Sequence, residues 1–594
     1  MKTITTALAL CLSMVLMGQD LVILHTNDMH SHVNGLSPES DFTPFVNDND
    51  PTLGGFSRIA GFIKAEKKAQ GDKLLVIDAG DFLMGTFYQT IEATQGFQLN
   101  LMKKMGYEFC TIGNHEFDFG PNVLADIIQN NKRNGEIPQI LFANYASSVA
   151  DDKRFTPLFN DGTILPYSIV EKNGHKIGLI GLMGTDAQES IDSKYGVAIE
   201  DPVKAAKRTV KYLKQDQKVE MVIAISHGGI RKNKKGEWGD DDVLLAKKVT
   251  DIDLIIGGHT HTILRDPLRV GNVVIVQTGD FGKRVGRVEV SFKPTGKPAI
   301  QAKLVEMNDA ITADAEIQRL IDEKVPELEK NILSPFGISY SKPVVETAFE
   351  LFMDDKNPIP SNLGPLVADA LFKRLNAPDG PGVDVAMVAS GVIRTNLFTG
   401  MTGKQNINDI FNVLPLGSGK DAIPGTPMAK IYVNGAELKK VLELILAVYP
   451  SKENYFLYYS GCEVDYNPEK GLFKKISAIR IGNSQTGFKP LDISKKSKQL
   501  VSIAANAYMI GFFSQLKKMS FGIVNIQAKN ADGSPVVNGD FIVDMDRNKE
   551  GVQEVKEWLS FYAFLSGFPD TNGNGIPDVP EEYRTKRNPM RVVK

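Results

Sequence analysis

The chain has 594 residues, 42% hydrophobic and 23% charged, with 68 Lys plus Arg against 71 Asp plus Glu and a formal net charge of −3. These proportions exclude a disordered or collagen-like chain and a polytopic membrane protein, and the charge balance offers no basic excess for a nucleic-acid duplex. The length exceeds one ordinary core and suits two or more domains.

The N-terminus carries an export signature. Lys2 supplies a basic start, Ala7 to Met17 is apolar apart from Ser13, and Gly18 is a small residue suited to cleavage before Gln19. The expectation is a signal peptide over 1–18 and a mature protein that is periplasmic, secreted or at the cell surface. No later segment is long and apolar enough for a bilayer, so no membrane span is expected in the mature chain. The cysteines are Cys11, Cys110 and Cys462, too few to staple a chain of this size. Cys110 lies in a short apolar stretch and reads as a small buried hydrophobe.

From Leu21 to about Phe292, short apolar runs alternate with amphipathic stretches. The runs are Leu21–Leu24, Leu74–Ile77, Ile177–Ile180, Met221–Ile225 and Leu254–Ile256. Continuous runs of this length suit strands buried on both faces. Phe56 to Gln70 and Val203 to Gln217 have helical spacing, and strand–loop–helix alternation means α/β. Ala310–Leu333 reads as a charged amphipathic linker helix. A second unit begins near Pro343, with a helix at Leu363–Leu375 and a strand at Val383–Val388. A hairpin-like Ala429–Val433 closed by Asn434-Gly435 follows, then a helix at Leu438–Val448. Its irregular spacing suits α+β. A helical segment and a polar tail follow Phe541.

The sequence has 8 histidines, the last of them His261. Five sit beside Gly, Asp or Asn shortly after an apolar run, where neutral imidazoles can serve a metal. In Asp28-Met29-His30, residues two apart on an extended segment point the same way, and a carboxylate with an imidazole suits Zn²⁺, Mn²⁺ or a similar ion. Asp81 follows Gly80 at a strand end, where a carboxylate can bridge two metals, and Asp78 can instead support a ligand from behind. Gly113-Asn114-His115-Glu116-Phe117-Asp118 is the most specific segment. Asn114 offers a neutral oxygen, His115 can face substrate rather than metal, and Asp118 is within reach to orient that imidazole. Asn114 and Glu116 would equally suit a capped helix start. Ser226-His227-Gly228-Gly229 and Gly257-Gly258-His259-Thr260-His261 end the last two runs, with glycines that permit close backbone approach.

The order D-x-H, G-D, G-N-H-E, H-G, G-H-x-H resembles the calcineurin-like metallophosphatase superfamily. Thr26-Asn27-Asp28-Met29-His30 and Gly113–Asp118 resemble its secreted 5′-nucleotidase branch, which includes UDP-sugar hydrolases and 2′,3′-cyclic nucleotide phosphodiesterases. Gly54-Gly55 with Arg58, and Ala143-Asn144, match further family positions. The resemblance implies two divalent ions, Zn, Mn or similar. One would be held by Asp28, His30, Asp81 and His261, the other by Asp81, Asn114, His227 and His259. His115 and Asp118 would form the catalytic dyad. It implies hydrolysis of a small phosphoester, a nucleotide or a related compound, through attack of a metal-bound hydroxide. The implied fold is an N-terminal α/β sandwich metallophosphatase domain over 19–305, a linker helix region over 306–344 and a C-terminal α+β substrate-recognition domain over 345–550, ahead of a tail over 551–594.

In the second unit, Ser361-Asn362-Leu363-Gly364, Gly391 with Ile393-Arg394, Leu414-Pro415, Asn434-Gly435, Ser460-Gly461 and Ala505-Asn506 resemble family landmarks. The departures are informative. Ala389-Ser390-Gly391-Val392-Ile393-Arg394 stands for N-G-G-G-I-R. Leu416 replaces the aromatic ring of L-P-F, and Phe512-Phe513-Ser514 replaces a G-G-D that follows Tyr508. Ile359 stands where an arginine would contact phosphate. A lost aromatic sandwich removes about 1–3 kcal/mol of stacking per base. Substrate contacts are therefore expected at Asn144, Arg394, Leu416 and Tyr508, with hydrolysis preserved and base recognition altered.

Asp570 to Glu581 matches an EF-hand-type loop, with oxygen ligands at Asp570, Asn572, Asn574, the Ile576 carbonyl, Asp578 and Glu581 and a turn at Gly575. Two asparagines lower its charge, which suits weak, structural binding of external calcium. Two other functions fit parts of the sequence: a sulfur-oxidation-type thiohydrolase on the same scaffold, acting on a carrier-bound substrate, and a metal-dependent surface binding protein without turnover. The latter has no use for His115 and Asp118.

Overall fold

The structure, a computed structural model, describes residues 20–36, 38–146, 152–354, 356–421, 423–450, 453–511, 526–536, 541–545 and 553–593. The expected signal peptide, Cys11 and Phe512-Phe513-Ser514 lie outside the described residues.

The apolar runs become strands β1 (Leu21–Thr26), β2 (Leu74–Asp78), β4 (His175–Met183), β5 (Met221–His227) and β6 (Leu254–Gly257), with β3 at Phe109–Thr111. Two sheets result. β1, β2 and β3 run parallel with Gln139–Leu141 and Ile164–Leu165, and Arg284–Ser291 and Ala299–Glu306 extend the β1 edge antiparallel. β4, β5, β6 and Val273–Val276 run parallel in the second sheet, with antiparallel strands at both edges.

Side-chain alternation explains why the runs are apolar throughout. Leu21, Ile23, Leu75 and Ile77 meet Leu179, Met221, Ile223, Ile225 and Ile256 in one core between the sheets. Their neighbours Val22, Leu24, Leu74 and Val76 pack outward with Phe56, Ile59 and Ile63 of the helix Phe56–Gln70. Val222, Ala224 and Ile255 pack outward with Ala205, Val210 and Leu213 of the helix Pro202–Gln215. The result is an α/β sandwich in which each buried Val, Leu or Ile contributes about 1.5–3 kcal/mol.

The C-terminal unit is α+β. Its first sheet orders Met428–Asn434, Leu500–Asn506, Val385–Ala389 and Leu457–Ser460, and the helix Leu363–Leu375 belongs to the same core. The second sheet ends on Met590–Val592, parallel to Cys462–Tyr466. The two units share a hydrophobic cluster. Phe87 stacks on Phe411 with ring centroids 3.9 Å apart, and Trp558 meets both rings edge-on.

Three local expectations are corrected. The stretch Ala310–Leu333 is not one helix. It breaks after Ala315–Asp322 and resumes at Val325–Leu328, because the Pro326 ring would clash with the carbonyl four residues earlier. Asn434-Gly435 is not a hairpin turn. The Asn434 side chain accepts from Glu437 N (2.9 Å) while the Glu437 carboxylate accepts from Asn434 N (2.8 Å), a capping box that starts the helix Gly435–Val448. The stretch 553–593 is no free tail, since Trp558, Phe561 and Leu565 of the helix Glu557–Leu565 are buried in the shared core. Cys110 and Cys462 are both free and buried.

Candidate metal centre

The sandwich brings strand ends to one place, and the backbone there is unusual. Asp28, His30, Asp81, His259 and His261 all have positive φ, between 49° and 72°. The left-handed region costs an ordinary L-residue about 1–2 kcal/mol, though Asp, Asn and His tolerate it better than most. The surroundings hold these residues in place. Asp28 N donates to the Gly80 carbonyl and His30 N to the Asp81 carbonyl, both at 2.9 Å. The buried Glu116 carboxylate accepts from Asp81 N (3.0 Å), Leu83 N (2.9 Å) and Gly113 N (2.6 Å). Asp78 plays the bracing part, accepting from Thr26 Oγ1 (2.7 Å) and Gly80 N (2.9 Å). Gly113 is required because a Cβ there would collide with the Asp81 carboxylate. At Gly258 a Cβ would stand 2.8 Å from His227 Nδ1.

The donors gather in two groups, Asp28 with His30 and His261, and Asp81 with His227 and His259, each within 4.8 Å. His30 Nε2 lies 3.1 Å from His261 Nε2 and 3.8 Å from Asp81 Oδ2, and His261 Nε2 lies 3.7 Å from Asp28 Oδ1. His227 Nε2 is 3.1 Å from the same Asp81 Oδ2, which therefore stands between the groups. Asn114 Oδ1 lies 2.9 Å from His259 Nδ1. The inner nitrogens are presented by ties at the outer ones. His30 Nδ1 faces the Met84 carbonyl (2.9 Å), and His227 Nδ1 the Ala79 carbonyl (2.8 Å).

These residues fit divalent cations. His227 Nε2 is buried without a hydrogen-bond partner, although it points toward two carboxylates. Burial opposes charge on His227, but Asp81 and Asp28 outweigh it and push its pKa up to about 10. Burial likewise opposes the Asp81 carboxylate, yet His227 and His115 hold it well below the usual range. Burial is the largest cause of the rise at Asp28 and of the fall at His30. Two buried carboxylates among imidazoles thus draw positive charge to one point, and imidazole nitrogen with carboxylate and amide oxygen suits Zn²⁺ or Mn²⁺. A third acidic group, Asp48, Asp50 and Asp309, contains two partners of the buried Arg58, at 2.6 Å for Asp50 and 3.5 Å for Asp309.

His115 stands beside this centre. Its Nδ1 lies 2.8 Å from Asp118 Oδ2, and its ring is edge-on to His30 at 5.1 Å. Burial disfavours its charged form, but Asp118 and Asp81 outweigh that and raise its pKa above the ordinary histidine value. From the C-terminal unit, Arg394 reaches to 3.5 Å from His115 Nε2. Tyr508 lies on Ala507–Gly511 and is 48% exposed. Leu416 is half-buried, and its carbonyl accepts from Thr426 N (2.7 Å) and Oγ1 (2.8 Å).

Asn144 is a correction. It is fully buried, its Nδ2 donates to the Met183 (2.9 Å) and Glu200 (3.0 Å) carbonyls, and its Oδ1 accepts from Met183 N (3.0 Å). These bonds occupy both ends of the amide in tying the second sheet to its neighbours, so it offers substrate nothing. The sequence motifs also omit Asp186, whose Oδ2 lies 3.1 Å from His259 Nε2. Asp186 follows the end of β4 by three residues, so the strand-end rule that pointed to the candidate ligands could have found it.

In the C-terminal loop, Asp570 accepts from Gly573 N (2.7 Å) and Gly575 N (2.8 Å), Asn574 Oδ1 accepts from Ile576 N (2.9 Å), and Asp578 accepts from Thr571 N (2.6 Å). Glu581, expected as the last ligand, instead pairs with Arg584 in the next turn. Glu346, more than two hundred residues earlier, enters the loop beside Asn572 and Asn574.

Residues 21–262 match the family described as calcineurin-like phosphoesterase, and residues 344–511 match the 5′-nucleotidase C-terminal domain. The chain is 25% identical over 492 residues to the trifunctional nucleotide phosphoesterase protein YfkN of Bacillus subtilis, a match covering 78% of this chain and only 30% of that longer protein. It is 26% identical over 509 residues to 5′-nucleotidase of Rattus norvegicus, with 81% of each chain covered. A 5′-nucleotidase precursor from Thermus thermophilus shares the fold, with a TM-score of 0.69 at 22% identity over 96% of this chain and 99% of that one.

Proposed function

Because the chain belongs to the calcineurin-like phosphoesterases that carry a 5′-nucleotidase C-terminal domain, we propose that it is an exported two-metal hydrolase of nucleotides or closely related phosphoesters. Asp28, His30, Asp81 and His261 hold one ion, and Asp81, Asn114, His227 and His259 hold the other. When bound, such ions supply Lewis acidity toward phosphoryl oxygen and make water acidic enough to furnish a nucleophile near neutral pH. The chain's own residues do the rest. Asp118 accepts a hydrogen bond from His115 Nδ1 and fixes the ring, so Nε2 lies on the side of Arg394. A proton at Nε2 stabilises charge on the phosphoryl group or passes to the leaving oxygen. Arg394 brings a fixed positive charge to the same nitrogen and to an anionic substrate. Leu416 and Tyr508 contact the leaving group, with weaker stacking than two aromatic rings would give.

The observation that carries this reading is the convergence of the two donor groups on Asp81 Oδ2 with His115 alongside. Phosphate release from a nucleotide panel with Mn²⁺, Co²⁺ or Zn²⁺ tests it. Release that a chelator abolishes and added metal restores is expected; a panel that yields no phosphate under any metal would sink it. Export rests on residues 1–18, and a mature form beginning at Gln19 is expected on N-terminal sequencing. No helix among the described residues is long and apolar enough to cross a membrane.

We also propose calcium at the C-terminal loop, held by Asp570, Asn572, Asn574, the Ile576 carbonyl and Asp578. Glu346 rather than Glu581 completes the set, because it is the carboxylate that enters the loop. Calcium should raise the melting temperature of chelator-treated protein and fail to do so in Glu346→Gln; an equal rise in both would remove Glu346 from the set.

A further inference from the structure

The histidines of the centre are steadied by different kinds of partner. His30 and His227 lean on backbone carbonyls, which carry no net charge. His261 Nδ1 has Asp280 Oδ2 at 3.6 Å, beyond hydrogen-bond length, and Asp280 is engaged with Lys283 at 2.9 Å. Of these four, His259 alone has a carboxylate within bonding distance of its outer nitrogen, Asp186 at 3.1 Å.

Asp186 is itself clamped. Arg231 NH1 donates to its Oδ2 at 2.8 Å and reaches Asp240 Oδ2 at 3.2 Å, while Asp186 N donates to Asp241 Oδ2 at 3.1 Å. The carboxylate is therefore held by Arg231 of the short strand Arg231–Lys232, and its backbone by Asp241 of the helix Asp241–Lys248. With the Nε2 proton of His259 donated to Asp186, the lone pair lies on Nδ1. That nitrogen is 2.9 Å from Asn114 Oδ1. An imidazole nitrogen and an amide oxygen this close can face one cation together.

We infer that Asp186, held by Arg231, is a positioning residue for one of the two ions: it fixes the tautomer and tilt of His259 and strengthens Nδ1 as a donor to the ion shared with Asp81, Asn114 and His227. The inference rests on the two-metal reading above. An anionic acceptor behind an imidazole raises its basicity, and removing such a partner typically costs about 10–100-fold in metal affinity. The other ion, which takes its imidazoles from His30 and His261, does not depend on Asp186. The sites are therefore built to respond differently to changes at this one carboxylate.

The test is a Co²⁺ titration of the full-length, dialysed protein, followed by visible absorbance and by metal analysis. Wild type is compared with Asp186→Asn, which keeps size and one acceptor oxygen, and with Asp186→Glu, which keeps the charge. Asp186→Asn should weaken one ion by about 10–100-fold and leave the other unchanged, and Asp186→Glu should recover part of that loss. Unchanged affinity at both sites in Asp186→Asn, or equal weakening of both, would overturn the inference. Wild type binding fewer than two ions would instead overturn the two-metal reading and the inference with it. Melting temperatures of the dialysed proteins keep the comparison open if one variant folds poorly, because Asp186→Glu then stands in as the charge-preserving reference.

Discussion

The two units contribute differently built surfaces around the candidate centre. On the sandwich side, Asp28 and Asp81 sit in loops cross-tied by main-chain bonds, and His30, His227 and His259 each have their outer nitrogen engaged. In the C-terminal unit, Arg394 reaches to 3.5 Å from His115 Nε2, Leu416 is half-buried and Tyr508 is 48% exposed. The donor groups of the first are fixed by backbone geometry, whereas the second presents individual side chains, among them Leu416 where the family motif has an aromatic ring.

The sharpest way to break that contrast is Asp81→Asn. Because Asp81 Oδ2 faces both donor groups, both ions should weaken and phosphate release should fall by about 10³-fold, in line with the several kcal/mol that metal charge stabilisation supplies. Metal analysis showing two ions still bound would overturn the shared-ligand assignment. His115→Ala should cost about 10²–10⁴-fold in turnover while metal content stays at wild-type level; unaltered turnover would remove the dyad. Leu416→Phe acts on the C-terminal surface and should lower KM for nucleotides about tenfold through restored stacking, with kcat little changed. Equal KM values for wild type and variant would show that Leu416 does not face the base.

The gentlest perturbation lies where the two units meet. Asp409 is buried, accepting from Glu39 N (2.9 Å) and Asn406 N (3.0 Å), and burial, then Glu39, push its pKa up to about 8. A raised folded-state pKa means its stabilisation is complete below the ordinary carboxylate range and is lost as pH rises through about 8. Wild type should therefore melt progressively lower from pH 5 to pH 9. Asp409→Asn, neutral throughout, should flatten that slope and melt a few degrees higher at pH 9. Parallel melting curves for the two proteins across that range would rule out Asp409 as the source.

The central strands of the sandwich were legible in the sequence because they are buried on both faces, which leaves unbroken runs such as Met221–Ile225, whereas strands such as Phe109–Thr111 and Arg284–Ser291 were not marked by such runs. The C-terminal helix Leu363–Leu375 was legible as well. What escaped depends on contacts that spacing does not encode. Asp186 reaches His259 across 73 residues, Glu346 reaches a loop more than two hundred residues away, and Trp558 enters a core begun by Phe87. Asn434-Gly435 misled because the same dipeptide suits a tight turn and a helix start, and only the Glu437 carboxylate decides between them. Asn144 misled because a family position was taken for a contact, although every hydrogen-bonding end of its amide is used internally.

The left-handed backbone at Asp28, His30, Asp81, His259 and His261 restricts how this centre can evolve. Aspartate and histidine are among the few chiral residues that settle comfortably there, and they are also good ligands for borderline cations. Drift toward a soft-metal, thiolate-rich centre would require side chains that this chain trace disfavours. The loops thus limit the alphabet of accessible ligands, and through it the range of ions that descendants of this protein can recruit without rebuilding the strand ends.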